Sequence, residues 1–319
     1  MLQLALAALL AGSLIAGGTD GDDKDKKAKA QAQQPIESIL VADRISEDDP
    51  INDTYALGRT ERIPLKLWLG YGRAVDDEAY DPSGNEVDLP YNVNAQRLFV
   101  GAQINVINFE NFSVGVGGQL NVAQNELESD AGTLDSGMGL QGAKAYGMVR
   151  GRTLGVHGGY HFDLGPDGDD LAEDEAMNSD GVDAWFVGAN FDYPAQMFRL
   201  FGGIDYFNRD FGDETSGSIE DDEIIVFNAG AGLRISWVEI GAAALLRANI
   251  GINRLGLPTG GGHQGSVAPY LILSPPALPV AISVKGAVMS EYADYGYSLG
   301  GGADLKTTSG FTVMASLGF

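Results

Sequence analysis

The carboxy-terminal segment Phe311-Thr312-Val313-Met314-Ala315-Ser316-Leu317-Gly318-Phe319 puts an apolar residue at every odd position and a small or uncharged one at every even position. Successive side chains of a strand point to opposite sides, so this is a strand with one apolar face. The alternation recurs along most of the chain in segments of about ten residues, the length a tilted strand needs to cross a bilayer. Lipid accepts only apolar groups on the face it touches and leaves no backbone group unpaired, so such strands must close on themselves. An all-β fold, a closed antiparallel transmembrane β-barrel, meets both demands.

Parity within each segment predicts which residues face out. Leu98, Val100, Ala102, Ile104 and Val106 form one set, with Arg97, Gln103 and Asn105 between them. Phe112, Val114, Val116, Leu120 and Val122 alternate with Ser113, Gly115, Gly117, Gln119 and Asn121, and Trp185, Val187, Ala189, Phe191 and Tyr193 alternate with Gly188, Asn190 and Asp192. This split predicts a wet interior. Further strands are expected at 154–162, 198–206, 225–235, 238–248, 280–288, 295–305 and 311–319, with 63–71 and 267–273 fitting less sharply. In 138–150, keeping Leu140, Tyr146 and Met148 outward also turns Lys144 to lipid, at a cost of about 2 to 4 kcal/mol near the midplane. A bulge, or the opposite register with Ala143, Ala145 and Val149 outward, resolves that conflict.

Thirteen strands result from this reading. Single-chain bacterial barrels use an even number, so one strand is missed or split and the expected total is 12–14. Connections alternate between short (108–111, 151–153, 194–196, 236–237, 274–277) and long (73–94, 123–137, 164–182, 207–223, 249–265), with the short rim expected to be periplasmic.

The 45 glycines against 12 prolines lack any G-X-Y period, which excludes collagen and suits a crowded lumen. There is no cysteine, hence no disulfide framework and no thiolate chemistry. Residues 4–16 are mainly apolar, too short for a transmembrane helix and the right size for the core of a signal peptide; Ala16-Gly17-Gly18 supplies a cleavage site, so 1–18 is expected to be the signal peptide. Met1-Leu2-Gln3 departs from that pattern by lacking Lys or Arg. Residues 19–34 mix charges with Ala and Gln and are expected to be a disordered tether. In 35–62 an apolar patch of Ile36, Ile39, Leu40 and Val41 suits a periplasmic segment or a plug, and 63–319 forms the barrel.

Residues 63–319 resemble Gram-negative, porin-like outer-membrane β-barrel proteins, and the terminal FTVMASLGF is similar to the carboxy-terminal signal that the barrel-assembly machinery reads. The resemblance implies residence in the cell outer membrane, contact with outer-membrane lipid, and Phe319 as an assembly signal. It picks out no subfamily.

Acidic residues gather in the long loops and contribute to a formal charge of −24. Asp167, Asp169 and Asp170 could offer oxygen ligands to a divalent cation, although the spaced ladder and closing Glu of an EF-hand are absent; solvated loops are the simpler reading. Parity gathers Lys66, Arg97, Arg199, Arg234, Arg247 and Lys285 with Asp192, Asp205, Glu239 and Asp304 on the lumen side, as a selectivity lining or as a salt-bridge network filling a narrow barrel. His157 and His161 share that side but stand roughly 13 Å apart at strand rise, so they are read as polar lining residues and not as a metal pair. Ser113, Ser283, His157 and Asn190 are hydrolase residues by type, without diagnostic spacing. No enzyme activity and no cofactor are expected, and the acidic charge is wrong for nucleic acid. The expected function is a passive, porin-like channel for small solutes; the alternatives are a hydrophobic-compound transporter with an amino-terminal plug and a non-conducting structural or adhesive barrel.

Overall fold

The structure, a computed structural model, describes residues 65–80, 86–87, 91–109, 112–129, 132–135, 137–164, 183–195, 197–210, 222–249, 263–275, 278–294 and 303–318. The expected signal peptide, tether and 35–62 segment, the Asp167, Asp169 and Asp170 loop, and Phe319 lie outside the described residues. The strands are β1 (Leu65–Tyr80), β2 (Glu86–Val87), β3 (Tyr91–Asn108), β4 (Ser113–Ser129), β5 (Gly132–Asp135), β6 (Gly139–Arg150), β7 (Leu154–Asp163), β8 (Asp183–Pro194), β9 (Phe198–Asp210), β10 (Asp222–Ile235), β11 (Val238–Asn249), β12 (His263–Leu273), β13 (Val280–Asp294) and β14 (Ala303–Gly318). Successive wall strands pair antiparallel, and β14 returns to β1 with Lys66 opposite Gly318 and Tyr71 opposite Val313. The barrel is therefore closed and has 12 wall strands; β2 and β5 are short arms on β1 and β4.

The even count corrects the thirteen. Of the strand expected at 295–305, residues 295–302 lie outside the described residues, and Ala303 already opens β14, which pairs with β13 from Ala303 opposite Asp294 to Leu317 opposite Val280. Thr307, Thr308 and Ser309 break the apolar alternation and so look like a turn, yet a strand that has left the bilayer needs no apolar face.

The same physics corrects two expected loops. Residues 73–80 and 91–94 continue β1 and β3, and 123–129 continue β4, with one slip of β1 against β14 between Asp76 and Glu78. Their outward side chains bond to one another across strands: Tyr71 Oη donates to Gln96 Oε1 (2.9 Å), Arg73 Nε to Asn94 Oδ1 (3.0 Å) and Asn94 Nδ2 to Glu126 Oε2 (3.0 Å). As a result β1, β3 and β4 have 16, 18 and 17 residues, whereas β6, β7 and β8 have 12, 10 and 12. One side of the barrel stands tall.

Strand β6 resolves its conflict by both routes at once. Pairing with β4 slips at Asn121/Val122, so Gln141 is an extra residue, and beyond it the parity is reversed. Leu140, Ala145 and Val149 face out, while Lys144, Tyr146 and Met148 are buried inside. The bulge spares lipid a lysine.

Outward residues such as Leu69, Val100, Ile104, Val116, Val187 and Leu246 form an exposed apolar belt. Phe112, Tyr193, Phe198 and Trp237 rim it at the short-turn end. At the other end Trp185 stacks on Tyr206 (5.2 Å between centroids) and Tyr160 on Phe162 (4.7 Å). From Tyr193 to Trp185 the strand advances about 27 Å, or about 20 Å along the axis at a tilt of about 40°, close to the apolar thickness such barrels present.

Candidate functional site: the barrel interior

Any solute crossing this wall meets the inward side chains, and a repeated device decides how they meet one another. Side chains two strands apart start from Cα atoms about 9 to 10 Å apart, so they touch only over an empty position. Gly188 of β8 supplies one, standing in register with His157 of β7 and Asp205 of β9. A Cβ at Gly188 would collide with both; without it, His157 Nε2 and Asp205 Oδ1 meet at 2.5 Å. Over Gly101, Trp68 Nε1 donates to Gln119 Oε1 (2.9 Å), and over Gly117, Tyr146 Oη donates to Gln103 Oε1 (3.3 Å). Gln119 Nε2 passes the chain on to Asn121 Oδ1 (2.8 Å).

An ionic cluster spans β8 to β12 near the short-turn rim. Arg199 donates from Nε to Asp192 Oδ1 (3.1 Å) and from Nη1 to Glu239 Oε1 (3.4 Å). Arg234 Nη2 donates to Glu239 Oε2 (2.8 Å), and Tyr270 Oη to Glu239 Oε1 (3.0 Å). Asp192 and Glu239 are 0% and 2% exposed, so the charges persist only through mutual pairing. The interior of a membrane barrel permits this where its lipid face does not.

The polar residues that parity turned inward, Arg97, Gln103, Ser113, Gln119, Asn121, Asn190 and Asp192 among them, are buried there, and apolar side chains share that face with them. Trp68, Phe99, Tyr146, Met148, Phe186 and Met314 pack together, with Phe207 against them. Phe207 also packs on a second cluster of Ile224, Val226, Leu245 and Ala268. Lys144 Nζ lies 4.6 Å from the Phe186 ring centroid, and Arg199 lies 4.9 Å from that of Phe201. Parity reasoning missed these residues because β10 carries Ile224 and Val226 inward beside Ile225 and Phe227, so the alternation that marks a face disappears.

The residues singled out by sequence fall as follows. Asp192, Arg199, Arg234 and Glu239 come together in the ionic cluster; His157 and Asp205 form their own pair. Lys66, Arg97, Arg247 and Lys285 are buried inward positions on β1, β3, β11 and β13, with Lys66 Nζ 5.5 Å from the Trp68 ring. His161 is half-buried on β7, against the space left by Gly142. Ser113, Asn190 and Ser283 are buried on three different strands, and His157 bonds to Asp205 and not to a hydroxyl. Trp68, Phe99, Tyr146, Phe186, Phe207 and Tyr270 are the interior residues that the sequence reading overlooked.

The chain matches no protein-family profile and no curated protein. Among solved structures it is similar to the COG4313 outer membrane channel from Pseudomonas putida F1, at 11% identity and a TM-score of 0.57, with 81% of this chain and 96% of that one covered. The transport unit of the autotransporter AIDA-I from Escherichia coli aligns at 11% identity and a TM-score of 0.43, over 86% of this chain and 98% of that one. The translocator domain of the autotransporter NalP from Neisseria meningitidis aligns at 11% and 0.41, over 88% and 99%. The fold is that of the outer-membrane β-barrels. The apolar belt around its closed wall agrees with a place in the cell outer membrane.

Proposed function

We propose that the protein is a narrow outer-membrane channel for small solutes, and for apolar ones above all. The observation that carries this reading is the pair of apolar clusters on the inward face, joined at Phe207. A water-filled pore lined for ions has no use for buried Trp68, Phe99, Phe186 and Leu245, since such lumens are polar. The paired charges near the short-turn rim fit a constriction that excludes free ions, because each carboxylate is already matched by an arginine. The long-loop rim is the outer mouth in this reading, as in bacterial barrels generally. The likeness to a solved outer membrane channel supports the class and says nothing of the solute.

Two measurements test it. The full chain in planar bilayers is expected to give conductance steps well below those of an open porin. Cells producing it are expected to take up the apolar dye N-phenyl-1-naphthylamine several-fold faster than cells without it. Large, steady ion conductance with no gain in dye uptake would favour the hydrophilic porin; no effect in either assay would favour a structural barrel.

A further inference from the structure

The β12–β13 ladder keeps its register from His263 opposite Tyr292 to Leu273 opposite Ile282, yet it leaves Ala268 and Pro269 without partners on β13. Among the described residues this is the one wall ladder in which pairing lapses with no change of register. The cause is local: proline has no N–H to donate and is ordinarily kept out of the middle of a sheet. Its other edge is intact, since Pro269 pairs with Ala242 of β11. The register sets Gly286 opposite Pro269. Gly286 lies on the outward parity of β13, and a Cβ added there would meet nothing within 4 Å. The seam thus lacks the hydrogen bond that a Pro269 N–H would make, and lacks bulk at Gly286, between the flanking pairs Val267–Val288 and Tyr270–Lys285, a length of about 10 Å.

The inner side of this seam is the apolar part of the lumen. Ala268, 0% exposed, belongs to the cluster of Ile224, Val226 and Leu245. Ser266, on the same inward parity of β12, has a buried hydroxyl with no partner among the described residues, which leaves one hydrogen bond for a solute at this inner mouth. On the outer side stand the exposed Val267, Val284 and Phe311, the last opposite Gly286. A molecule inside the lumen that moves toward the short-turn rim instead must pass Asp192, Arg199, Glu239 and Arg234, where an apolar body would displace paired charges.

We propose that the Ala268–Pro269 seam between β12 and β13 is a lateral portal, through which a small apolar molecule passes from the lumen into the bilayer without crossing the ionic cluster. The proposal rests on the reading of the protein as a channel for apolar solutes. Opening a barrel wall within lipid ordinarily costs several kcal/mol for each backbone group left unpaired. At this seam one of those bonds is already missing, because Pro269 has no N–H to donate.

The chain has no cysteine, so a disulfide can be placed across the seam cleanly. Cells carrying the full chain with Leu271→Cys and Val284→Cys, a facing pair beside the seam that keeps Pro269 and Gly286, are expected to lose at least fivefold of their N-phenyl-1-naphthylamine uptake on oxidation and to regain it on reduction. The control pair Ala231→Cys and Ala242→Cys, on the continuous β10–β11 ladder, is expected to change nothing. Gly286→Leu, which fills open space, serves if the cysteine pair fails to fold, and is expected to lower uptake while leaving ion conductance unchanged. Unchanged uptake with the seam disulfide formed would overturn the portal and leave the channel standing. An absence of any uptake due to the parent chain would overturn both.

Discussion

The two sides of the lumen hold themselves together with different chemistry. From β8 to β12 the short-turn end of the inward face is ionic, with two arginines and two carboxylates in one chain of contacts. From β1 to β6 two relays of neutral groups, Trp68, Gln119 and Asn121 in one and Tyr146 and Gln103 in the other, run beside the buried Lys66, Arg97 and Lys144. Both place polar side chains in a space screened from water, but the penalty for an error differs. A stranded amide costs about 1 to 3 kcal/mol, whereas a stranded buried charge costs about 3 to 5. The neutral side can therefore pack against Phe99, Met148 and Phe186 as a core does, while the ionic side is an all-or-none unit. A lumen built this way has one wall that tolerates change and one that does not.

The largest expected effect lies on the ionic side. Glu239→Ala removes the acceptor shared by Arg199, Arg234 and Tyr270, and is expected to destabilise the folded barrel by about 3 to 5 kcal/mol, measured by urea unfolding in detergent. Gln119→Ala, the corresponding loss on the neutral side, strands the Trp68 indole N–H and is expected to cost about 1 to 3 kcal/mol in the same assay. Equal losses at the two sites would abolish the contrast.

Gly188→Ala drives a methyl between His157 and Asp205, and overpacking of this kind costs about 1 to 3 kcal/mol. The barrel should still fold, with the His157–Asp205 contact broken; unchanged chemical shifts of the His157 ring in NMR spectra would show that the glycine does not mediate it. The smallest effect belongs outside the lumen. Arg73→Ala on the exposed face of β1 removes one hydrogen bond to Asn94, and is expected to shift stability by no more than about 1 kcal/mol. A larger shift would mean that the tall wall contributes to stability as the lumen does.

Much of this architecture was legible because parity is a local property. Val100 and Ile104 must face lipid whatever strand lies beside them, and the two-residue link at Ser236-Trp237 announces a tight hairpin. Parity failed where lipid ceased to impose it: above the belt, where Arg73, Asn94 and Glu126 made strands look like loops, and inside β10, where both faces are apolar. It also failed at Gln141, because a bulge reverses the pattern within a single strand.

The sequence by itself determined that this chain closes into a transmembrane barrel, which residues in most strands turn inward, and that charges gather there. It did so because lipid imposes a period of two on each strand separately. Which inward residues touch was decided by the tertiary structure alone. Contact across a glycine depends on the registers of three neighbouring strands at once, so His157 finds Asp205 over Gly188 only after β7, β8 and β9 have aligned. The same holds for Pro269: its missing N–H is written in the chain, but only the paired sheet sets it opposite Gly286 and beside Ala268, which faces the apolar lumen.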